Sequence, residues 1–260
     1  MEITPGSWIT QVVFEKKPCA IRRFWLSVLW FLLLASGGQA GAGQGPEQIF
    51  GILGDLGVYG NFGKGSPWLY ESDLLIAGNQ IGTPYPAADQ FMVFSAVGSY
   101  TALGYKIDDH HTLYAGYGFQ HVVEPLASVP TNENRGWQQY NYEHFTPYGG
   151  FKLSSRLEER TVNNAGGLAL RARQLVQWTY PLNALWYLIA AEEVFFNLNT
   201  VAWGPVAGYD QNRVFAGIGY RFNPTTRAEI GYLNNYINRD FVEDLDVNFL
   251  TFNVYVDLTE

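Results

Sequence analysis

Residues 153–173 read LSSRLEERTVNNAGGLALRAR, six charges set in two short stretches joined by Asn and Gly. A helix of period 3.6 would smear those charges around its circumference, whereas a strand sends successive side chains to opposite faces. Read with period two, Ser154, Arg156, Glu158 and Arg160 share one side, and Leu153, Ser155, Leu157 and Glu159 share the other. Past the NNAGG turn, Leu168, Leu170, Ala172, Val176, Trp178 and Tyr180 share a parity broken only by Gln174. Arg171, Arg173, Gln177 and Thr179 lie opposite. The stretch is therefore a hairpin with one charged and one apolar side.

The same alternation recurs along the chain. Leu250, Phe252, Val254, Val256 and Leu258 alternate with Phe249, Thr251, Asn253, Tyr255 and Asp257. Val214, Ala216, Ile218, Tyr220 and Phe222 alternate with Arg213, Phe215, Gly217, Gly219 and Arg221, and Ala228, Ile230 and Tyr232 with Arg227, Glu229 and Gly231. Similar runs begin near Trp68, Phe91, Thr112, Trp137 and Ala184. A soluble β-sandwich also alternates, with its apolar face inside. Two features favour the reverse. Arg and Glu recur at strand centres with Gly beside them, and aromatics crowd the strand ends nearest short turns. Trp178, Tyr180 and Trp186 flank Pro181-Leu182-Asn183, while Tyr220 and Phe222 flank Asn223-Pro224, the pattern of an interfacial aromatic girdle.

The expected fold is all-β, a transmembrane antiparallel up-and-down barrel, since a closed barrel satisfies every backbone group in lipid. Short connections (KIDDHH, TPYGG, PLNA, NPTT) alternate with longer polar ones (VEPLASVPTNENRG, NTVAWGPVAGYDQ, INRDFVEDLDV). In outer-membrane barrels the short turns face the periplasm and the long loops face outward. Eleven strand-like segments can be counted from Ile49. Bacterial single-chain barrels have even counts with both ends periplasmic, so twelve strands are expected, with ten as the alternative.

The N-terminal residues point to export. Lys16, Lys17, Arg22 and Arg23 precede an apolar run of 12 residues, Phe24 to Ala35, followed by SGGQAGAGQG. The run falls short of the roughly 20 residues a spanning helix needs. A basic region, a short apolar run and an Ala40-Gly41-Ala42 site mark residues 1–42 as a signal peptide with an extended basic region. Residues 43–260 are then the barrel domain. Cys19, the one cysteine, leaves with the leader. Cleavage removes four basic and two acidic residues, leaving 12 basic and 22 acidic, a net charge of −10 that argues against a nucleic-acid partner. The expected surroundings are the outer membrane of a Gram-negative bacterium, its lipids and lipopolysaccharide, and the barrel-insertion machinery.

The repeated charged constellation is Glu71, Glu143, Arg156, Glu158, Arg160, Arg171, Arg173, Glu193, Arg213, Arg221, Arg227 and Glu229, all expected to line the lumen. In one reading they pair across strands, fixing register, because unpaired buried charge is costly. In the other they line a passage for a small solute or ion and set its selectivity. Interleaved signs favour the first. Under the second, charge reversal at Arg171 or Arg173 is expected to change selectivity with the fold kept.

Other chemistry is thinly marked. A lipid-modifying hydrolase needs a nucleophile and base in hydrogen-bond reach, yet no Ser lies two residues from His110, His111, His121 or His144. No catalytic residue, metal ligand or cofactor is therefore assigned, and the hydrolase stays as the alternative. Asp108, Asp109, His110 and His111 read as a solvated turn, and Asp240, Glu243, Asp244 and Asp246 as an acidic outer loop. GILGDLGVYGNFGKGS fails as a phosphate loop because Lys64 is followed by Gly65 and no helix pattern follows. Its glycines read as tight packing or a poorly ordered first strand.

The segments EERTVNNAGGLALRARQLVQWTYPLN, AEEVFFNLN and DQNRVFAGIGYRFNPTTRAEIGYLNNY resemble the bacterial family known as domain of unknown function 2490. The resemblance runs from about Trp137 to the C-terminus, with an outline match around Trp68-Leu69-Tyr70-Glu71. It implies an outer-membrane barrel and brings no activity. One departure from barrel habit is the ending Asp257-Leu258-Thr259-Glu260, which lacks a terminal aromatic.

Overall fold

Alternation of this kind closes into a cylinder in the computed structural model, which describes residues 45–81, 91–127, 129–240 and 242–259. The expected signal peptide and its cleavage site lie outside the described residues. Eleven strands form the wall: β1 (Glu47–Asn61), β2 (Trp68–Ile81), β3 (Phe91–Lys106), β4 (His111–Val122), β5 (Thr131–Thr146) and β6 (Gly149–Val162), then β7 (Ala165–Pro181), β8 (Trp186–Asn197), β9 (Gly208–Arg221), β10 (Thr226–Ile237) and β11 (Leu245–Leu258). Sequential strands pair antiparallel, and β1 closes the barrel against β11. Among the described residues there is no helix.

The count is eleven, neither twelve nor ten, and this changes how the barrel closes. An odd strand count leaves the last strand running in the same direction as the first. The seam is therefore parallel, in register from Glu47↔Leu245 to Gly60↔Leu258, and the sheet is not purely up-and-down antiparallel. The two strand ends lie at opposite rims, not together. The Gly-rich stretch after Ile49 is a full strand of 15 residues. Its glycines make space inside the seam: a Cβ at Gly57 would come within 2.6 Å of the Tyr255 ring and 2.8 Å of the Asp73 carboxylate.

One rim carries the short turns at 62–67, 107–110, 147–148, 182–185 and 222–225, and the other carries 123–130, 163–164, 198–207 and 238–244. The long connection after Val122 is shorter than its polar sequence suggests, because Thr131 to Gly136 already belongs to β5. In β11, Leu245, Val247, Phe249 and Thr251 are buried while Leu250, Phe252, Val254 and Leu258 are exposed. A wall one sheet thick can bury side chains only on its inner surface, so the buried parity faces the interior. Near the long-loop rim Ile49, Ala77, Ala96, Leu245, Val247 and Phe249 form an apolar cluster, joined by Leu233, Ile237, Val122 and, from the 123–130 loop, Leu126.

Candidate functional site: the ionic wall of the interior

Opposite that apolar cluster, the inner face of β5–β9 is charged. Glu158 is fully buried, and its carboxylate accepts from Arg171 Nε at 2.8 Å and Nη2 at 2.6 Å, and from Arg173 Nη1 at 2.6 Å. Arg171 also reaches Asp210 at 3.0 Å, and Arg173 reaches Glu193 at 2.7 Å. On the β5 side Glu133 binds Arg135 at 2.7 Å and Arg160 at 2.5 Å. Arg160 Nη1 continues to Asn197 Oδ1 at 3.4 Å, and Asn197 Nδ2 to Asp210 at 3.1 Å. The network thus crosses five strands with charge-assisted bonds, which are the strong ones. Truncating one partner would leave a buried charge uncompensated, a large cost.

Aromatic rings fill the space between the charges. Phe195 is fully buried, with the guanidiniums of Arg171, Arg173 and Arg213 at 5.0, 4.7 and 4.8 Å from its ring centre. Arg156 lies 4.0 Å over Trp137, which is 1% exposed. A cation over an aromatic face is attracted by the ring quadrupole, the more so when desolvated. The Trp137 indole needs the absence of a side chain at Gly116, where a Cβ would overlap it. From the 198–207 loop, Trp203 lies with its ring centre 5.5 Å from the Arg160 guanidinium and donates to the Gly167 carbonyl at 3.1 Å.

The short-turn half is more open and more acidic. Asp55, Glu71, Asp73, Glu143 and Lys152 are all only partly buried there. Lys152 pairs with Glu143 at 3.2 Å, and Tyr255 donates to Asp55 at 3.0 Å. Glu229 accepts from Tyr187 at 2.7 Å and lies 3.6 Å from Arg227, which stacks on Tyr255 and Tyr59 at 4.6 and 5.2 Å. Arg221 lies 4.3 Å over Tyr187.

All twelve residues of the expected lumen set fall on the buried parity, yet in two groups. Arg156, Glu158, Arg160, Arg171, Arg173, Glu193 and Arg213 belong to the ionic wall. Glu71, Glu143, Arg221, Arg227 and Glu229 lie in the short-turn half, apart from it. Glu133 and Arg135 join the wall from a stretch polar enough to read as loop, although Glu133, Arg135, Trp137 and Gln139 alternate as a strand should. Asp210 falls in NTVAWGPVAGYDQ, which reads as a connection although β9 already begins at Gly208, and a bulge shifts the register there, with Phe195 opposite Gln211 and Phe196 opposite Tyr209. The buried pairing also revises the effect of reversing Arg171: a carboxylate beside Glu158 opposes the fold before it alters any selectivity.

On the outer face the aromatics expected to form a girdle meet as pairs: Trp178 with Tyr180 at 5.3 Å, Trp186 with Tyr220 at 4.7 Å and Tyr220 with Phe222 at 5.0 Å. Trp68 and Tyr105 extend the ring at 5.1 Å. The histidines take other partners than serine: His110 the Glu143 carbonyl at 2.8 Å, His111 the Tyr140 hydroxyl at 2.5 Å, and His121 Asn132 at 2.6 Å. His144 packs against His110 and Tyr142. In the 107–110 turn, Asp108 accepts the backbone N–H of His110 at 2.8 Å and of His111 at 2.9 Å. Those donors, His110 foremost, hold its carboxyl below the ordinary range. In the acidic loop, Asp244 accepts from Arg239 N at 2.9 Å and Arg239 pairs with Glu47 at 3.1 Å. Among the described residues no group of three or more acidic, His or Cys side chains is placed to hold a metal.

A family model described as a protein of unknown function, DUF2490, matches residues 82–244. An uncharacterised protein of Methylorubrum extorquens is 28% identical over 228 residues, covering 82% of this chain and 89% of that protein. No solved structure matches.

Proposed function

The chain belongs to the family of unknown function DUF2490, and for this member we propose an outer-membrane barrel that acts as a narrow, partly occluded passive passage. The observation that supports it is the inverted wall. Phe50, Ile52, Leu56, Leu74, Ile76, Phe94, Leu103, Ile230 and Phe252 are exposed on the outside while Glu158, Arg171 and Glu133 are buried within. A soluble protein rarely exposes so large an apolar surface, whereas a barrel in lipid requires one, edged by aromatics. The acidic half would form a vestibule at the short-turn rim, narrowing to the ionic wall.

In this reading residues 1–42 are a secretory signal cleaved after Ala42, and the insertion machinery places residues 43–260 among lipid and lipopolysaccharide. Long loops face outward and short turns face the periplasm. The odd strand count then sets Glu47 at the outer rim and Leu258 at the periplasmic one. Because Cys19 leaves with the leader, a single introduced cysteine reports this directly. A membrane-impermeant maleimide added to intact cells is expected to label Gly45→Cys and to spare Thr259→Cys; the opposite pattern inverts the orientation. The passage itself is tested by planar-bilayer recording on protein extracted from the membrane fraction with detergent. Small, stable conductance steps are expected. A folded barrel that stays silent, or recovery in the soluble fraction, removes the passage.

A further inference from the structure

We propose that the interior binds a small oxyanion, of phosphate or carboxylate type, at Arg213, within the positive patch that Arg213 forms with Arg173 and Arg156. The proposal rests on the reading of the lumen as open to small solutes.

The ionic wall is not balanced. Its guanidiniums are Arg135, Arg156, Arg160, Arg171, Arg173 and Arg213, and the carboxylates bonded to them are Glu133, Glu158, Glu193 and Asp210. Two positive charges are left over. Register shows where they fall. Arg213 stands directly opposite Glu193 across β8–β9, which should make them an ion pair. Glu193 turns instead to Arg173, which binds it through Nε at 2.9 Å and Nη2 at 2.7 Å. Arg213 keeps one neutral acceptor, Asn235 Oδ1 at 3.3 Å, and the face of Phe195. Glu193, Arg173, the Tyr100 phenol and Arg135 act on it from the neighbouring strands.

Arg156 repeats the pattern. It stands opposite Arg173 in register, a like-charge pair, and its nearest carboxylate oxygen, on Glu158, is 4.0 Å away. Its Nε donates to neutral Gln139 at 2.5 Å. A second donor beneath it is also free: Trp137 Nε1 is buried and has no hydrogen-bond partner. Arg156 and Arg173 still touch open space, with 16% and 13% of their side chains accessible, and Arg213 is likewise only partly buried. In a one-layer wall that space is the lumen. Buried like charges repel strongly at low dielectric, and a guanidinium fork matches a carboxylate or phosphate bidentately. An oxyanion at Arg213 offsets surplus charge and takes up guanidinium donors that Asn235 alone leaves unused.

The test is calorimetric titration of inorganic phosphate into the detergent-extracted protein at constant ionic strength. Saturable uptake near one phosphate per barrel is expected. Arg213→Gln should weaken it at least about tenfold, as loss of a charge-assisted contact does, and Arg156→Gln should weaken it less. Arg227→Gln, in the short-turn half, should leave it unchanged. If Arg213→Gln fails to fold, Arg213→Lys keeps the charge but loses the fork, and reduced yet measurable binding is expected. Absence of saturable uptake by the unaltered protein, or affinity unmoved by Arg213→Gln or Arg213→Lys, overturns the proposal. Conductance separates the two readings. A silent barrel that binds phosphate removes the passage and keeps the site, and a conducting barrel without uptake does the reverse.

Discussion

Just inside the long-loop rim the two halves of the interior are filled in opposite ways. Along β10, β11 and β1–β3 the filling is mostly hydrocarbon, with Leu245 and Val247 essentially inaccessible, and the polar groups buried beside it, such as Ser95 donating to Asn79, carry no net charge. Along β5–β9 it is charge, with Glu158 equally buried. Hydrocarbon needs only contact, so each residue there contributes by area and volume. Charge needs partners in the right geometry, and its contribution depends on the whole network being complete. The comparison teaches that one closed wall can be filled by either chemistry, and that the two fail differently. The apolar half yields locally, the ionic half as a unit.

The largest expected effect is on the ionic side. Arg171→Glu would set a carboxylate against buried Glu158 and Asp210, and should cost about 3–5 kcal/mol or more, as breaking a buried pair does. The urea midpoint of the detergent-solubilised protein measures this, and an unchanged midpoint would mean the network contributes nothing to closure. On the apolar side Val247→Ala removes two buried methyl groups and should cost about 2 kcal/mol. A loss equal to that of Arg171→Glu would erase the distinction between the halves. The smallest effect belongs to neither half. Asp108 has a depressed carboxyl pKa in an exposed turn, so its stabilisation is present above the unfolded value of about 4 and fades as pH falls through the folded one. Asp108→Ala should lower the urea midpoint slightly at neutral pH and match the unaltered protein in strong acid; a gap that persists in acid would assign the effect to something other than the carboxylate.

Some of this was legible beforehand. Arg156, Glu158 and Arg160 share a parity whatever their partners, because strand geometry alone sends every second side chain to one face. The seams were not legible. Thr131 to Gly136 is polar enough to pass for loop, which concealed Glu133 and Arg135. Asp210 was concealed the same way, in a polar connection whose last residues already belong to β9, and the bulge beside Phe196 breaks the parity there as well. The family match begins at residue 82, well before Trp137, where the motifs become recognisable by eye.

By itself the sequence determined the two-faced strands, the charged and apolar parities and the aromatic clusters beside the short turns. These follow from the period-two backbone and from residue chemistry, both local. Only the tertiary structure decided that eleven strands close through a parallel seam, because closure depends on which distant edges meet. It alone decided that Glu193 serves Arg173 rather than Arg213 opposite it. Ion-pair choice inside a barrel is a competition among several long side chains for few carboxylates, and register supplies the candidates without choosing between them.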